Sequence, residues 1–250
     1  MIVCKSEREI EIMRKAGRIV ADALAIAKEI AKKDITTDDI NTRLEKYVLR
    51  QGGIPVFKGY RGYPKSICTS INEEVVHGIP DERKLREGDI LSVDIGVEYR
   101  KYVADAAITI PIGVISKEAE TLLEVCEEAL NKAIEKTCVN NKLSEVSRSI
   151  QNHVESKGLS VIRDYTGHGI GRKMHEDPQI PNFVSKELLK ADEILLRGMT
   201  LAIEPMICVG KYDTEVLKNR WTVVTKDRKL SAHFEHTVVV TENGAEILTD

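Results

Sequence analysis

Residues 89–111 read DILSVDIGVEYRKYVADAAITIP. Two β-rich runs, ILSVDIGV and YVADAAITI, are joined through the polar EYRK, which predicts a β-hairpin carrying Asp94 on one arm and Asp105 on the other. A carboxylate inside such a run is unusual, because burying it costs several kcal/mol unless it is paired or bound to a metal. The pattern recurs twice further on, where Glu204 interrupts LAIEPM and Glu235 sits in HFEHTVVV. Any one of the four reads as well as a surface position or the partner of a nearby arginine. Four together are harder to dismiss.

Working outward from the hairpin, two helices are expected before it. Ser6 and Glu9 form a capping box, and Ile10, Met13, Ile19, Val20, Leu24, Ile26, Ala27 and Ile30 repeat at helical spacing up to Lys33. The second helix has Thr37 as N-cap, a stripe of Ile40, Leu44, Tyr47 and Val48, and Gly52-Gly53 as its stop. Residues 54–80 are rich in Gly, Tyr, Pro, Ser and Asn and read as short strands and loops, the kind of segment that carries function. Beyond the hairpin, helices are predicted over 116–136 and 144–157, the latter closed by Gly158. Strands SVIRDY, TLAIEPMICV and FEHTVVVT follow, with Asn243-Gly244 as a tight turn before AEILT. Helix pair and then strands occurs twice, which predicts a duplicated α+β unit: a single domain over 1–250 with halves at 1–113 and 114–250.

The composition narrows the partners. The net charge of -3 comes from 37 basic and 40 acidic residues mixed along 250 positions, with no block of like charge to suit nucleic acid or an anionic membrane. Five scattered cysteines without a C-x-x-C pair support neither a disulfide framework nor a zinc finger. The N-terminal residues hold no signal-like apolar stretch, and no run approaches the ~18 apolar residues of a membrane span. A cytoplasmic protein is expected.

If the four carboxylates converge they repel strongly, at about 4 kcal/mol for a pair ~4 Å apart at an effective dielectric near 20. Two divalent cations bring four positive charges against the four negative ones. Oxygen-rich ligation with one imidazole suits Mn, Fe, Co or Zn, and a bridged pair can hold and activate one water. His168, in TGHGIGRKMHEDP, is the imidazole candidate, with Gly167, Gly169 and Gly171 expected to let the backbone come close to a ligand. His153, His233 and His236 are left as structural or supporting.

The segments NEEVVHGIP, VDIGV, YVADAAIT, GHGIGRKMHEDP, LAIEPM and FEHT, in that order and at these intervals, resemble the type I methionine aminopeptidases over essentially the whole chain. The resemblance implies the pita-bread fold, an antiparallel curved sheet backed by two helix pairs with pseudo-twofold symmetry. It implies two divalent metal ions, one held by Asp94, Asp105 and Glu235, the other by Asp105, His168, Glu204 and Glu235. It sets His77 on the scissile amide nitrogen, His175 on the carbonyl oxygen that becomes negative, and Glu204 as the shuttle for the proton of an attacking hydroxide. Tyr60, Tyr63, Cys68 and Trp221 are implied to line an apolar pocket for methionine. Phe57 and Met174 stand where Cys and Phe are expected in well-known relatives, so the pocket mouth departs from the family outline.

Removal of the initiator methionine from nascent proteins and peptides, with a small second residue preferred, is the activity implied. A monomer is expected, with the ribosome as a candidate partner. The short stretch between His168 and Glu204 leaves no room for the helical insertion of type II enzymes. Two alternatives share the constellation or the fold. A prolidase or aminopeptidase P usually carries a large extra N-terminal domain, for which there is no room. A catalytically dead pita-bread binding module would be expected to have lost metal ligands, and all five are present.

Overall fold

A computed structural model describes residues 2–250; Met1 lies outside the described residues. Two helices come first, α1 (Glu7–Ile30) and α2 (Thr37–Arg50), then short strands β1 (Ile54–Pro55), β2 (Cys68–Ile71) and β3 (Glu74–Val76). The hairpin is β4 (Ile90–Tyr99) and β5 (Tyr102–Pro111). A second helix pair follows, α3 (Lys117–Lys136) and α4 (Leu143–Ser156), then β6 (Ser160–Val161), β7 (Thr166–Gly169), β8 (Glu176–Pro181) and the short α5 (Lys186–Lys190). The chain closes with β9 (Thr200–Ile203), β10 (Met206–Cys208), β11 (Thr214–Val216), β12 (Val223–Thr225), β13 (Ser231–His233), β14 (Glu235–Thr241) and β15 (Gly244–Ile247). Among the described residues, no helix is long and apolar enough to cross a membrane.

Local chemistry explains most of the boundaries. The carboxylate of Glu9 accepts the Ser6 N–H at 2.9 Å and the Ser6 hydroxyl at 2.7 Å, so the reach-back half of the expected capping box starts α1. The helix stops at Ile30, short of the expected Lys33, where Ala31 turns extended. At α2 the cap is Thr36, not Thr37: Thr36 Oγ1 accepts the Asp39 N–H at 3.0 Å, while the Thr37 hydroxyl donates to the Asp81 carbonyl at 3.0 Å. Two adjacent threonines offered the same chemistry, and the one with extended backbone took the role. The β4–β5 turn is Arg100-Lys101, both left-handed at φ 49° and 69°, the two-residue geometry whose twist matches paired strands.

The main sheet runs β1-β4-β5-β14-β9-β7-β8, antiparallel throughout, with β2 added on β4 and β15 on β14. Its two faces differ sharply. Leu91, Val93, Ile95 and Val97 of β4 with Ala104, Ala106 and Ile110 of β5 pack under α1 and α2. Leu201 and Ile203 of β9 with Val238 and Val240 of β14 pack under α3 and α4. The register links the two sets, since Ile95 pairs with Ala106, Ala106 with His236 and His236 with Ile203. Both helix pairs therefore cover one face, each over its own core. Each buried aliphatic side chain there contributes about 1.5–3 kcal/mol, so a one-residue slip that put Asp94 in place of Val93 is strongly disfavoured.

The segment before α1 is tied across the C-terminal half. The Lys5 N–H donates to the Gly198 carbonyl at 2.7 Å, and its buried ammonium meets Glu176 at 2.7 Å.

Candidate metal centre and substrate pocket

On the face away from the helices, the same register assembles the acids. Asp94 and Glu235 both pair with Ala107 of β5, forming one row across three strands. Asp105, paired with Gly96, lies two residues from Ala107 and so shares its face. His168 of β7 pairs with Ala202 of β9, which pairs with Thr237 of β14. Glu204 lies two positions beyond Ala202, just past the end of β9, with its carbonyl accepting from Asn182 at 2.9 Å. Ala107 and Ala202 stand at the intervening positions, and at Gly96 a Cβ would lie 2.8 Å from the side chains of Val56 and Phe57. All five candidates thus stand on one side of one sheet.

The glycines around His168 serve a different end from the one expected. A Cβ on Gly167 would lie 2.5 Å from the Ala202 carbonyl oxygen, and one on Gly169 would lie 2.1 Å from that of Asp177. They admit the neighbouring strands rather than a ligand, and the TGHG segment is itself β7.

The donor chemistry fits cations. Asp94 Oδ1 and Asp105 Oδ1 are buried with no hydrogen-bond partner. Burial pushes the Asp105 carboxyl up to about 7; burial, followed by the charge of Asp105, pushes Glu204 up to about 8. Asp94 and Glu235 are driven well above the carboxylate range, first by burial and then by their acidic neighbours. Four crowded acids that resist ionising alone are what a pair of dications would compensate. His168 Nδ1 lies 2.9 Å from the Gly169 carbonyl; donating there leaves Nε2 bare, the form in which an imidazole ligates. Burial lowers its pKa to about 4, so the ring is neutral at pH 7. Donor atoms of Asp105, His168 and Glu235 lie within 4.8 Å of one another, and so do those of Asp94, Glu204 and His233. The last residue was not expected.

Above this floor opens a cavity of about 430 Å³. Every residue expected in the pocket lines it: Tyr60, Tyr63, Cys68, His77, His175 and Trp221, joined by Phe57 and Met174 at the departing positions. Burial pushes the Cys68 thiol well above its ordinary range, keeping it a neutral, polarisable wall. Tyr63 meets Trp221 edge-on at 5.1 Å between centroids, and its hydroxyl reaches the carbonyls of Ile67 at 3.0 Å and Gly78 at 2.8 Å. It therefore braces the loop of His77 as well as lining the pocket. His77 itself is left-handed at φ 60°, and the next residue, Gly78, has no room for a Cβ, which would lie 2.0 Å from the Thr69 carbonyl oxygen. Burial lowers the His77 pKa to about 4.

His175 is exposed, with its ring 4.3 Å from that of His168. Its Nδ1 lies 3.0 Å from the Tyr60 hydroxyl, a contact spanning 115 positions that no sequence pattern announces. His153 and His236 stand apart from the centre, beside Glu128 at 2.9 Å and Thr249 Oγ1 at 2.9 Å respectively.

Comparison with known proteins agrees with this geometry. Residues 11–242 match the family model of metallopeptidase family M24. The methionine aminopeptidase of Clostridium acetobutylicum is 50% identical over 100% of this chain and 99% of its own. Methionine aminopeptidase 1 of Bacillus subtilis is 47% identical, over 100% and 99%. The crystal structure of methionine aminopeptidase from Thermotoga maritima superposes with a TM-score of 0.97 at 46% identity, covering 100% of both chains. A prolidase from Pyrococcus horikoshii shares the pita-bread fold at a TM-score of 0.80 and 22% identity, with this chain covering 64% of it. With that kinship over its full length, the chain belongs to metallopeptidase family M24, in the methionine aminopeptidase branch.

Proposed function

We propose that the protein removes the N-terminal methionine from peptides and newly made proteins, as one catalytic unit over residues 1–250 working with two divalent metal ions. The observation that carries this reading is the convergence of Asp94, Asp105, His168, Glu204 and Glu235 on one sheet face, beneath a pocket walled by Tyr60, Tyr63, Cys68, Met174 and Trp221. Asp94, Asp105 and Glu235 would hold one cation, and Asp105, His168, Glu204 and Glu235 the other. Such a pair supplies Lewis acidity and a water acidic enough to attack near neutral pH.

The chain's own groups divide the remaining work. The apolar pocket takes the thioether side chain and excludes water from the scissile bond. Glu204, ionised beside the cations, accepts a proton from the attacking water and passes it to the departing amine as the C–N bond breaks. His175 donates to the carbonyl oxygen as it becomes negative. For that its Nε2 must carry the proton, and the Tyr60 hydroxyl, donating to Nδ1, selects that tautomer. Neutral His77 meets the amide nitrogen. We further propose a monomer acting in the cytoplasm on chains at or near the ribosome, with a small second residue preferred.

The test is turnover of Met-Ala-Ser by the metal-reconstituted protein, beside N-acetyl-Met-Ala-Ser and Ala-Pro. Cleavage of the first alone is expected. Equal rates on the acetylated peptide would show that the free amine is not read, and faster cleavage of Ala-Pro would assign the protein to the proline-specific relatives.

A further inference from the structure

His233 has no task in the mechanism above, yet it is only 1% exposed and neither ring nitrogen has a hydrogen-bond partner. Leaving a buried polar group unpaired costs about 1–3 kcal/mol, and an apolar side chain of that size would fill the space without the cost. The ring therefore points to a ligand rather than to packing. His233 closes β13, in register with Met206 of β10, and precedes Glu235 by two positions. Extended backbone gives side chains two apart the same face, so the imidazole is delivered to the side that holds the acids.

Two further observations converge on the same point. Donor atoms of His233, Asp94 and Glu204 lie within 4.8 Å of one another, and Asp94 Oδ1 is itself buried without a partner. These orphaned atoms face one another without bonding. Donors that share a cation, each about 2.1 Å from it, stand apart in this way. The Val75 carbonyl lies near the ring outside hydrogen-bond geometry, as an outer partner of a ligating imidazole can.

We propose that His233 is a sixth protein donor of the metal centre, joining Asp94 on the cation that His168 does not serve. The proposal rests on the two-metal reading. It gives each cation one nitrogen among oxygens, and it adds a ligand without adding charge to a site where four carboxylates already balance two dications. An imidazole at the second position favours Fe, Co or Zn over Mn there.

Holoprotein loaded with ¹¹³Cd and carrying ¹⁵N-labelled histidine tests this without any substitution. Two imidazoles coupled to cadmium are expected, one per ion, with the second coupling gone in His233→Gln. Calorimetric titration with Co(II) should leave the first equivalent unchanged in His233→Gln and His233→Ala and weaken the second by at least about tenfold, the loss seen even for outer partners. Two bound ions with a single coupled imidazole, or an unchanged second affinity in both variants, overturns the proposal and leaves the two-metal reading standing. A wild-type protein that takes up one ion overturns both.

Discussion

The floor of the site and its walls are built by different means. The floor rests on β4, β5, β7, β9 and β14, where the pairing register puts Asp94, Asp105, His168 and Glu235 on one face and Glu204 follows just past the end of β9. Apart from Cys68 on β2, the walls come from loops: His77 and Arg61 are left-handed at φ 60° and 48°, Tyr60 begins a 3-10 turn, and Trp221 follows left-handed Arg220 at φ 65°. A sheet backed by two cores cannot shift one donor without shifting its neighbours, whereas a loop can be reshaped alone. The candidate metal ligands therefore sit on the rigid part, and most of the residues that line the pocket on the part that can vary.

Substitutions separate the two most sharply through metal content. His168→Ala and Asp105→Asn should lose bound metal and with it all activity above background, measured by elemental analysis beside turnover. His175→Ala should keep its metal and lose roughly 100- to 1,000-fold in kcat, the cost of one preorganised oxyanion donor. His77→Ala should also keep its metal while raising KM as well as lowering kcat. A wall variant that emptied the floor would erase the distinction.

Within the walls the effects should be graded. Trp221→Ala removes a large apolar side chain, worth about 1.5–3 kcal/mol of burial, and should lower kcat/KM on methionyl peptides by roughly 10- to 100-fold with metal retained. Tyr60→Phe keeps the ring and removes only the hydroxyl that orients His175. A loss near 1 kcal/mol, roughly fivefold, is expected in kcat with KM nearly unchanged. A rise in KM alone would mean that Tyr60 only lines the pocket.

The smallest effect is one of stability and tests the floor by itself. Without metal, Asp105 and Glu204 hold protons up to about 7 and 8, far above an unfolded carboxylate near 4. The native state then binds more protons across that interval, so stability is greatest at the acid end and falls as pH rises toward 8. Each kcal/mol lost lowers Tm by roughly 2–4 °C. With metal bound the acids are ionised, and acid expels the ions, so the trend should reverse. Melting curves from pH 5 to 8 with and without chelator should therefore diverge at high pH; parallel profiles would mean that the four acids do not face one another.

The floor was far more legible in the sequence than the walls. Asp94, Asp105, Glu204 and Glu235 stand out because a carboxylate in a β-rich run breaks the burial rule, and alternation then fixes its face. Alternation about Glu235 also separates its two flanking histidines: His233 shares its face, while His236 meets Thr249 on the opposite side. That signal was present but weak, since Phe234 falls between two short strands. The Tyr60–His175 contact and the left-handed backbone of His77 arise from tertiary packing and leave no local pattern. The glycines beside His168 were conspicuous, but what they approach depends on strands far away in the chain.

The tie between Lys5 and Glu176 bears on how the molecule can be handled. Glu176 directly follows His175, so a residue near the N-terminus helps hold the wall that carries His175. Trimming the chain back to the start of α1, or straining its first residues with a rigid fusion, would leave Glu176 partly buried without its cation. Turnover would suffer while the metal stayed in place.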